Sequence, residues 1–467
     1  MPIRIQALDT SHSRPPKIIP RAEHSISRND ISGNALKVLY RLKEAGFHAF
    51  LVGGAVRDLL LGLHPKDFDV ATDALPEEVR RLFRNCRLIG RRFRLAHVFF
   101  GQEIIEVATF RAAAALEPPE AEEEQAFPAD LDEEHRVVHA SGRILRDNLY
   151  GSIDDDVWRR DFTANALYYN IEDFSIWDYV GGVEDIRARV LKVVGDPATR
   201  FREDPVRMLR AIRFAAKLEF TLAPETAAPI ASLRRMLAEV PAARLFDETM
   251  KMFLKGAALA TWRLLRSHQL DALLFPATAR YFDEHPEDPA YRMLERGLED
   301  TDARIVADKP VAPTYLFAVL LYAPIREAAL RLMERGTPET QAFFLASDNV
   351  VKAEQRNVSI PKRFTLPMRE MLALQPRFRR REGRKALALL EHTRFRAAYD
   401  FLMLRCHAGL EDSEIGEWWT RIQMLSHEDR LALVEVHGPQ TPRPAGPRRR
   451  RRRGGRRGKP SGANTSG

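Results

Sequence analysis

The chain has 467 residues, 45% of them hydrophobic, two cysteines and a formal net charge of +8, a length that suits about three domains. Cys86 and Cys406 lie far apart without metal-type spacing, which excludes a disulfide scaffold and fits a reducing compartment. The most apolar stretch, 315–323, is about half of the roughly 20 residues a membrane span needs, and the N-terminus has no apolar segment followed by a small-residue cleavage site, so a soluble cytoplasmic protein is expected.

Residues 1–20, with several prolines, read as an irregular arm. An amphipathic helix is predicted from Ile31 to Glu44 and a buried strand over 48–52. Gly53 and Gly54 follow, then a short apolar helix to Leu61 and a second strand over 67–72. Asp73 is the expected N-cap of the next helix, with Pro76 in its first turn. The runs CRLIG, LAHVFF and EIIEVATF read as three more strands. Residues 112–140 form an acidic, proline-containing stretch expected to be a mobile loop. From Asp185 helical periods dominate to about residue 430. The fold class is therefore α+β: an N-terminal head with a small mixed or antiparallel sheet, then an all-α neck and body. The boundaries expected are arm 1–20, head 21–182, neck 183–275, body 276–430 and tail 431–467. The tail holds ten basic and no acidic residues between Arg443 and Lys459, leaving 63 Lys and Arg against 65 acidic residues elsewhere. Such a segment is expected to be disordered. It attracts nucleic-acid backbones through counterion release, or serves only as a solubilising tail.

The chemistry concentrates in the head. Asp67 and Asp69, two apart on a strand, point to one face while Phe68 and Val70 point to the other. Paired carboxylates repel unless a cation lies between them, and oxygen ligands suit Mg²⁺. Glu106, opposite in facing to Ile105 and Val107, completes a three-carboxylate site if its strand lies beside the first. Alone, an Asp-x-Asp is most often a surface or turn feature. Just upstream, however, LVGGAVRDLLLG places two glycines between strand and helix, where backbone approaches a phosphate closely, with Arg57 as its clamp. The alternative is a tight turn with a solvated arginine. In RRDFTANALYY, Arg160, Asp161 and Asn165 stand together at the start of a predicted helix, as a cation for a triphosphate beside acceptors for ribose hydroxyls, or as a capping cluster. In FREDPVRMLRAIRFAAKL, a helix from near Pro205 carries Arg207, Arg210, Arg213 and Lys217 on one outward-looking face. Asp204 is placed to hold Arg207 against a base edge; a solvated basic face is the alternative.

In this order and spacing GGAVRDLLLG–DFDVATDA, RRDFTANALYY and EDPVRMLRAIRFA resemble the class II nucleotidyltransferases, which join the CCA-adding tRNA nucleotidyltransferases and the bacterial poly(A) polymerases. Within that family LIGRRFRLAHV at 88–98, the flanks RAEHSISRNDISGNALKVLYRL and SGRILRDNLYGSIDDDVWRRDFT, and the basic tail are similar to the poly(A) polymerase branch. The resemblance implies a catalytic nucleotidyltransferase head, RNA-binding neck and body, and addition of AMP from ATP to RNA 3′ ends without a template. Asp67 and Asp69 match the metal carboxylates and Glu106 a third acidic position. Gly53, Gly54 and Arg57 match the triphosphate loop, and Arg160 with Asp161 the ribose and phosphate contacts. Asp204 and Arg207 match the base-reading pair, with Arg210 nearby for phosphate. It further implies two Mg²⁺ ions (Mn²⁺ as a substitute), a monomer, and acceptors among mRNA, small RNA and decay intermediates. RNA-decay proteins are implied as partners, and the tail could hold the chain peripherally at the inner membrane. Both branches share the base-reading pair, so Arg91, Arg92 and Arg94 are candidates for restraining nucleotide choice, and His97 is expected to be structural. A CCA-adding enzyme is the nearer rival; a noncatalytic RNA-binding protein on the same scaffold is the other.

Overall fold

The computed structural model describes residues 15–90, 94–111, 137–138, 144–146 and 150–436. Apolar and alternating runs in its first half become strands β1 (Lys17–Ile19), β2 (Ala49–Val52), β3 (Asp69–Thr72), β4 (Cys86–Ile89), β5 (Leu95–Phe100) and β6 (Glu103–Thr109). A separate ladder, β7 (Val137–Val138) with β8 (Ile144–Arg146), precedes β9 (Leu167–Asn170) and β10 (Ile176–Asp178). Eight strands form one sheet in the order β1-β10-β9-β2-β3-β6-β5-β4. β3 and β6 are parallel and the other neighbours antiparallel, so the sheet is mixed.

Because side chains alternate across a strand, the sheet carries two cores. Leu51, Val70, Ile105 and Val107 pack with Leu39 of α1 (Gly33–Glu44), Val56 of α2 (Gly54–Leu60) and Val79 of α3 (Pro76–Leu82). On the opposite face Phe50, Val52, Ala71 and Tyr168 pack with Val157 of α4 (Ile153–Arg159). That second core is small and leaves part of its face open; the carboxylates lie there.

Several local expectations change. Lys17–Ile19 belongs to the sheet edge, paired with Ile176–Asp178, rather than to an irregular arm; three residues are too few to show a period. Asp73 does not cap α3: its carboxylate accepts from the His48 N–H at 2.8 Å, while Glu78 reaches back to the Leu75 N–H at 2.8 Å. The segment after Arg160 is not a helix but a 3₁₀ turn, Thr163–Asn165, running into β9. Leu167, Tyr168 and Tyr169 are fully buried between the two cores, and a strand covered on both faces has no alternation to distinguish it from helix.

Beyond the sheet come α5 (Gly182–Ala188), a two-residue parallel ladder of β11 (Val190–Leu191) with β12 (Thr221–Leu222), α6 (Pro197–Glu203) and α7 (Val206–Leu218). The described remainder is helical and ends in His427–Val436, so the first residues assigned to the tail are helix; residues 437–467 lie outside the described residues. The same holds for most of the acidic stretch, of which only Val137–Val138 is described. Among the described residues no helix is long and apolar enough to cross a membrane.

One buried carboxyl in the helical part has a measurable consequence. Glu354, at 0% exposure, accepts from the Ala277 N–H at 3.0 Å through one oxygen, and its other oxygen has no partner. Burial pushes its pKa up to about 7. A carboxyl raised in the folded state contributes its full stability below its unfolded value near 4.5 and loses it as pH rises through about 7. Glu354→Gln should therefore be more stable than the parent above pH 8, by up to about 3 kcal/mol, with the gap closing towards pH 5. Thermal unfolding across pH reads this directly; a gap independent of pH would contradict it.

Candidate active site

The site is built on one transverse row of the sheet. Tyr168 is in register with Val52, Val52 with Asp69, Asp69 with Glu106 and Glu106 with His97. Register partners share a face, so Asp69 and Glu106 stand side by side, and Asp67 joins them from just before β3. The expected strand over 67–72 starts at Asp69, and Asp67 lies on its approach. Glu106 faces the His97 ring at 3.4 Å. Although the Asp69 side chain is exposed on the open face, surrounding protein that displaces water first, then the negative charges of Glu106 and Asp67, push its pKa up to about 6, while Arg160 pulls the other way. Carboxylates set side by side carry negative charge that a divalent cation would offset, and hard oxygen donors suit Mg²⁺. The donor set therefore fits such an ion, although the three groups are not drawn tightly together. Among the described residues the group of three whose ligand atoms lie within 4.8 Å of one another is Glu284, His285 and Glu327, in the helical part.

Where β2 ends, Gly53 turns the chain at φ +69°, a conformation that L side chains rarely adopt, and a Cβ there would sit 3.5 Å from the Arg160 guanidinium. α2 then carries Arg57, which does not project freely as expected. It is buried, donating to Asp58 at 2.6 and 2.8 Å and to the Asn165 side chain, with its guanidinium 5.4 Å from the Phe214 ring centre. Arg57 and Asn165, 108 residues apart, thus meet beside the glycine turn.

Arg160 caps the C-terminus of α4 and is clamped from below. Its Nε donates to the Tyr168 hydroxyl at 2.7 Å, its Nη2 to Asp156 at 2.9 Å, and Tyr168 donates to the same Asp156 oxygen at 2.7 Å. Burial opposes its charge, but Tyr168 and Asp156 more than offset this and hold the guanidinium above its ordinary range. Asp161 takes the next layer. Burial alone would raise its carboxyl; its ion pair with Arg210, the Asn165 amide and the charge of Arg207 bring it down to about 2.

α6 and α7 supply the floor of the neck. The basic face of α7 does not look outward: Arg207, Arg210 and Arg213 pair with Glu203, Asp161 and Glu248. Asp204 does not hold Arg207, either. Arg207 donates to Glu203 at 2.9 Å and to the Arg200 carbonyl at 2.8 Å, whereas Asp204 accepts from Arg244 at 2.6 Å. The reason is geometric. Asp204 sits in extended conformation between α6 and α7, so its carboxylate turns to the helix Ala242–Phe253, and Glu203, one turn before Arg207, is the nearer acceptor.

The structure therefore brings together Asp67, Asp69 and Glu106, and separately Arg57, Arg160, Asp161, Asn165 and Arg210 around the glycine turn. Arg94 pairs with Glu77 of α3 at 2.9 Å; Arg91 and Arg92 lie outside the described residues. Sequence reasoning missed Asp156, Tyr168, Glu203, Arg244 and Arg111. Arg111 lies two residues past the end of β6; burial lowers its pKa while Asp156 and Glu106 hold it up, and its backbone N–H lies 3.4 Å from Asp156. Its place at the end of a strand bearing Glu106 was the available signal. Nothing in the sequence could pair Arg244 with a carboxylate forty residues away.

Comparison with known proteins gives the family. The family described as "Poly A polymerase head domain" matches residues 49–192. "Probable RNA and SrmB- binding site of polymerase A" matches 219–282, and "Polymerase A arginine-rich C-terminus" matches 335–457. Poly(A) polymerase I of Escherichia coli O157:H7 is 48% identical over 439 residues, covering 93% of this chain and 91% of that protein. The chain belongs to the bacterial poly(A) polymerase I family. A CCA-adding enzyme of Lactobacillus helveticus is more distant, at 36% identity over 223 residues, 48% of this chain and 50% of its own length. The solved CCA-adding enzyme of Bacillus stearothermophilus in complex with CTP superposes with a TM-score of 0.54 at 25% identity, over 87% of this chain and 88% of its own. The poly(A) polymerase I family thus shares its architecture with CCA-adding enzymes, while sequence over nearly the whole length separates the two.

Proposed function

We propose that this protein is a polynucleotide adenylyltransferase that lengthens RNA 3′ ends with AMP from ATP. The observation that carries the proposal is the transverse row of Asp69 and Glu106, with Asp67 beside it, under the Arg160 clamp. In the reaction the RNA 3′ oxygen attacks the α-phosphorus in line, a new O–P bond forms, and the bond to the pyrophosphate oxygen breaks.

Each group of the chain has a task in that step. The glycine turn lets backbone come close to the triphosphate, Arg160 places fixed positive charge against it, and Arg57, buried against Asp58 and Asn165, adds its charge from behind the turn. Asn165 and Asp161 offer acceptors to ribose hydroxyls. Asp204 and Arg207 face the base with an acceptor and donors. Asp67 and Asp69 would hold two Mg²⁺ ions, with Mn²⁺ as a substitute, and Glu106 would support Asp69 from the neighbouring strand. Such ions supply activation of an attacking hydroxyl and neutralisation of the leaving pyrophosphate. Rate enhancement then comes from positioning and charge neutralisation rather than covalent chemistry. RNA would approach over the neck and body, with the arginine segment adding sequence-independent attraction.

The test is incubation with labelled ATP or CTP, using an unstructured RNA and a tRNA lacking its 3′ end. Long AMP tails on the unstructured RNA are expected. Three-nucleotide addition confined to the tRNA would establish a CCA-adding enzyme instead, and no incorporation an RNA-binding protein without activity.

A further inference from the structure

Far along the chain from the carboxylate row, the helical part gathers a different donor set. The helix Pro276–Glu284 ends in Glu284, and His285 follows it directly. Glu327 comes from another helix, Pro313–Glu334, whose Leu320 carbonyl accepts from the Thr278 hydroxyl at 2.8 Å. Nitrogen and oxygen atoms of Glu284, His285 and Glu327 lie within 4.8 Å of one another.

Two features set this group apart from an ordinary acidic surface. The first is an imidazole with a fixed orientation. The His285 ring meets the Tyr281 ring edge to face, with centres 4.8 Å apart. Tyr281 is buried, and its hydroxyl donates to Asp288 at 2.8 Å; Arg326 donates to the same Asp288 oxygen at 3.3 Å. Metal sites orient their ligand rings through such outer partners. The second is that the three groups face one another without joining. Among the described residues neither the Glu284 carboxylate nor the His285 ring makes a hydrogen bond or ion pair. Glu327 pairs with Arg331, whereas Arg326 is turned to Asp288. Two carboxylates this near repel unless a cation lies between them, and the last carbonyls of the helix Pro276–Glu284 add partial negative charge. A tetrahedral ion with bonds of about 2.1 Å places its ligand atoms about 3.4 Å apart. Small rotations of the exposed Glu284 and His285 side chains reach that spacing.

We infer that Glu284, His285 and Glu327 form a binding site for a divalent transition ion of the zinc class, which ties the end of the helix Pro276–Glu284 to the helix Pro313–Glu334. One imidazole nitrogen and two carboxylate oxygens are three of the four ligands that Zn²⁺ takes, and water supplies the fourth. The nitrogen also separates this site from the carboxylate row, because Mg²⁺ prefers oxygen ligands in octahedral array while imidazole suits zinc-class ions. The site stands whether or not the chain adds AMP.

The experiment titrates Zn²⁺ into the metal-free, untagged full chain by calorimetry and by thermal unfolding, with Mg²⁺ in excess to occupy the carboxylate row. The parent should bind one Zn²⁺ at micromolar concentration or below. Its unfolding midpoint should then rise by an equal step for each further tenfold increase in free ion. His285→Ala should weaken binding roughly tenfold or more, since losing even an outer partner of a ligand does that. It should also remove the thermal shift while keeping the metal-free midpoint, because its side chain is exposed. Glu327→Gln should weaken binding likewise, and Asp69→Ala should leave it intact. Binding only at millimolar Zn²⁺, or binding unchanged in His285→Ala, would overturn the inference. Binding lost in Asp69→Ala alone would overturn it too, by placing the ion in the carboxylate row.

Discussion

Asp69→Ala should abolish AMP incorporation, by about a thousandfold or more, while leaving the fold intact. Several kcal/mol of transition-state charge stabilisation depend on carboxylate-held ions, and each 1.4 kcal/mol or so is a factor of ten in rate. The fold should survive because Asp69 makes no hydrogen bond or ion pair among the described residues and lies on the open face. Its pKa, raised to about 6, marks a charge that the folded protein accommodates at a cost near neutral pH, so its removal should leave thermal stability equal or slightly higher. The same raised pKa gives a second readout. A cation binding at Asp69 must displace a proton below about pH 6, so divalent-ion affinity of the parent should fall as pH drops through that value and level off above it. Calorimetry with Mg²⁺ or Mn²⁺ measures this. Near-normal activity in the alanine variant would remove the carboxylate row from the mechanism.

How much of this was legible in the sequence follows from which interactions are local. The strand period at 67–72 and 103–109 placed Asp69 and Glu106 on matching faces, and their parallel pairing supplied the missing neighbour relation. The turn itself was equally legible, since a glycine between strand and helix suits the positive φ that Gly53 adopts. Partner choice was not. Asp204 and Arg207 stand three apart, which invited pairing on a helix; Asp204, however, lies just outside α7, and both residues found other partners. The basic stripe of α7 looked like a solvated face because Asp161 and Glu248, which neutralise it, come from distant segments. A charge pattern on one helix reports amphipathicity and cannot report what the opposing element brings. The strand β9 was hidden for a related reason, being apolar on both sides.

Arg160 shows why those distant partners matter for function, and its replacement is the second large effect expected. Arg160→Met should lower kcat/KM for ATP about a hundredfold, the equivalent of losing roughly 2–3 kcal/mol of charge-assisted hydrogen bonding. Arg160 also opposes the rise in the Asp69 pKa. Without it Asp69 should hold its proton to a higher pH, and at limiting divalent ion, where binding must displace that proton, the acid limb of the pH–rate profile should move upward. Arg160→Lys keeps the charge but not the planar fork that meets both Asp156 and Tyr168. It should restore the position of the limb while leaving KM for ATP high. Asp156→Asn should cost less than Arg160→Met and add little to it, because Asp156 acts through the guanidinium it holds. An unmoved acid limb in Arg160→Met would show that Arg160 and Asp69 do not share one field. Additive losses for the Asp156 pair would show instead that Asp156 contacts the substrate independently. The expected pattern ties Tyr168, at one end of the row, to Asp69 in its middle through a single cation.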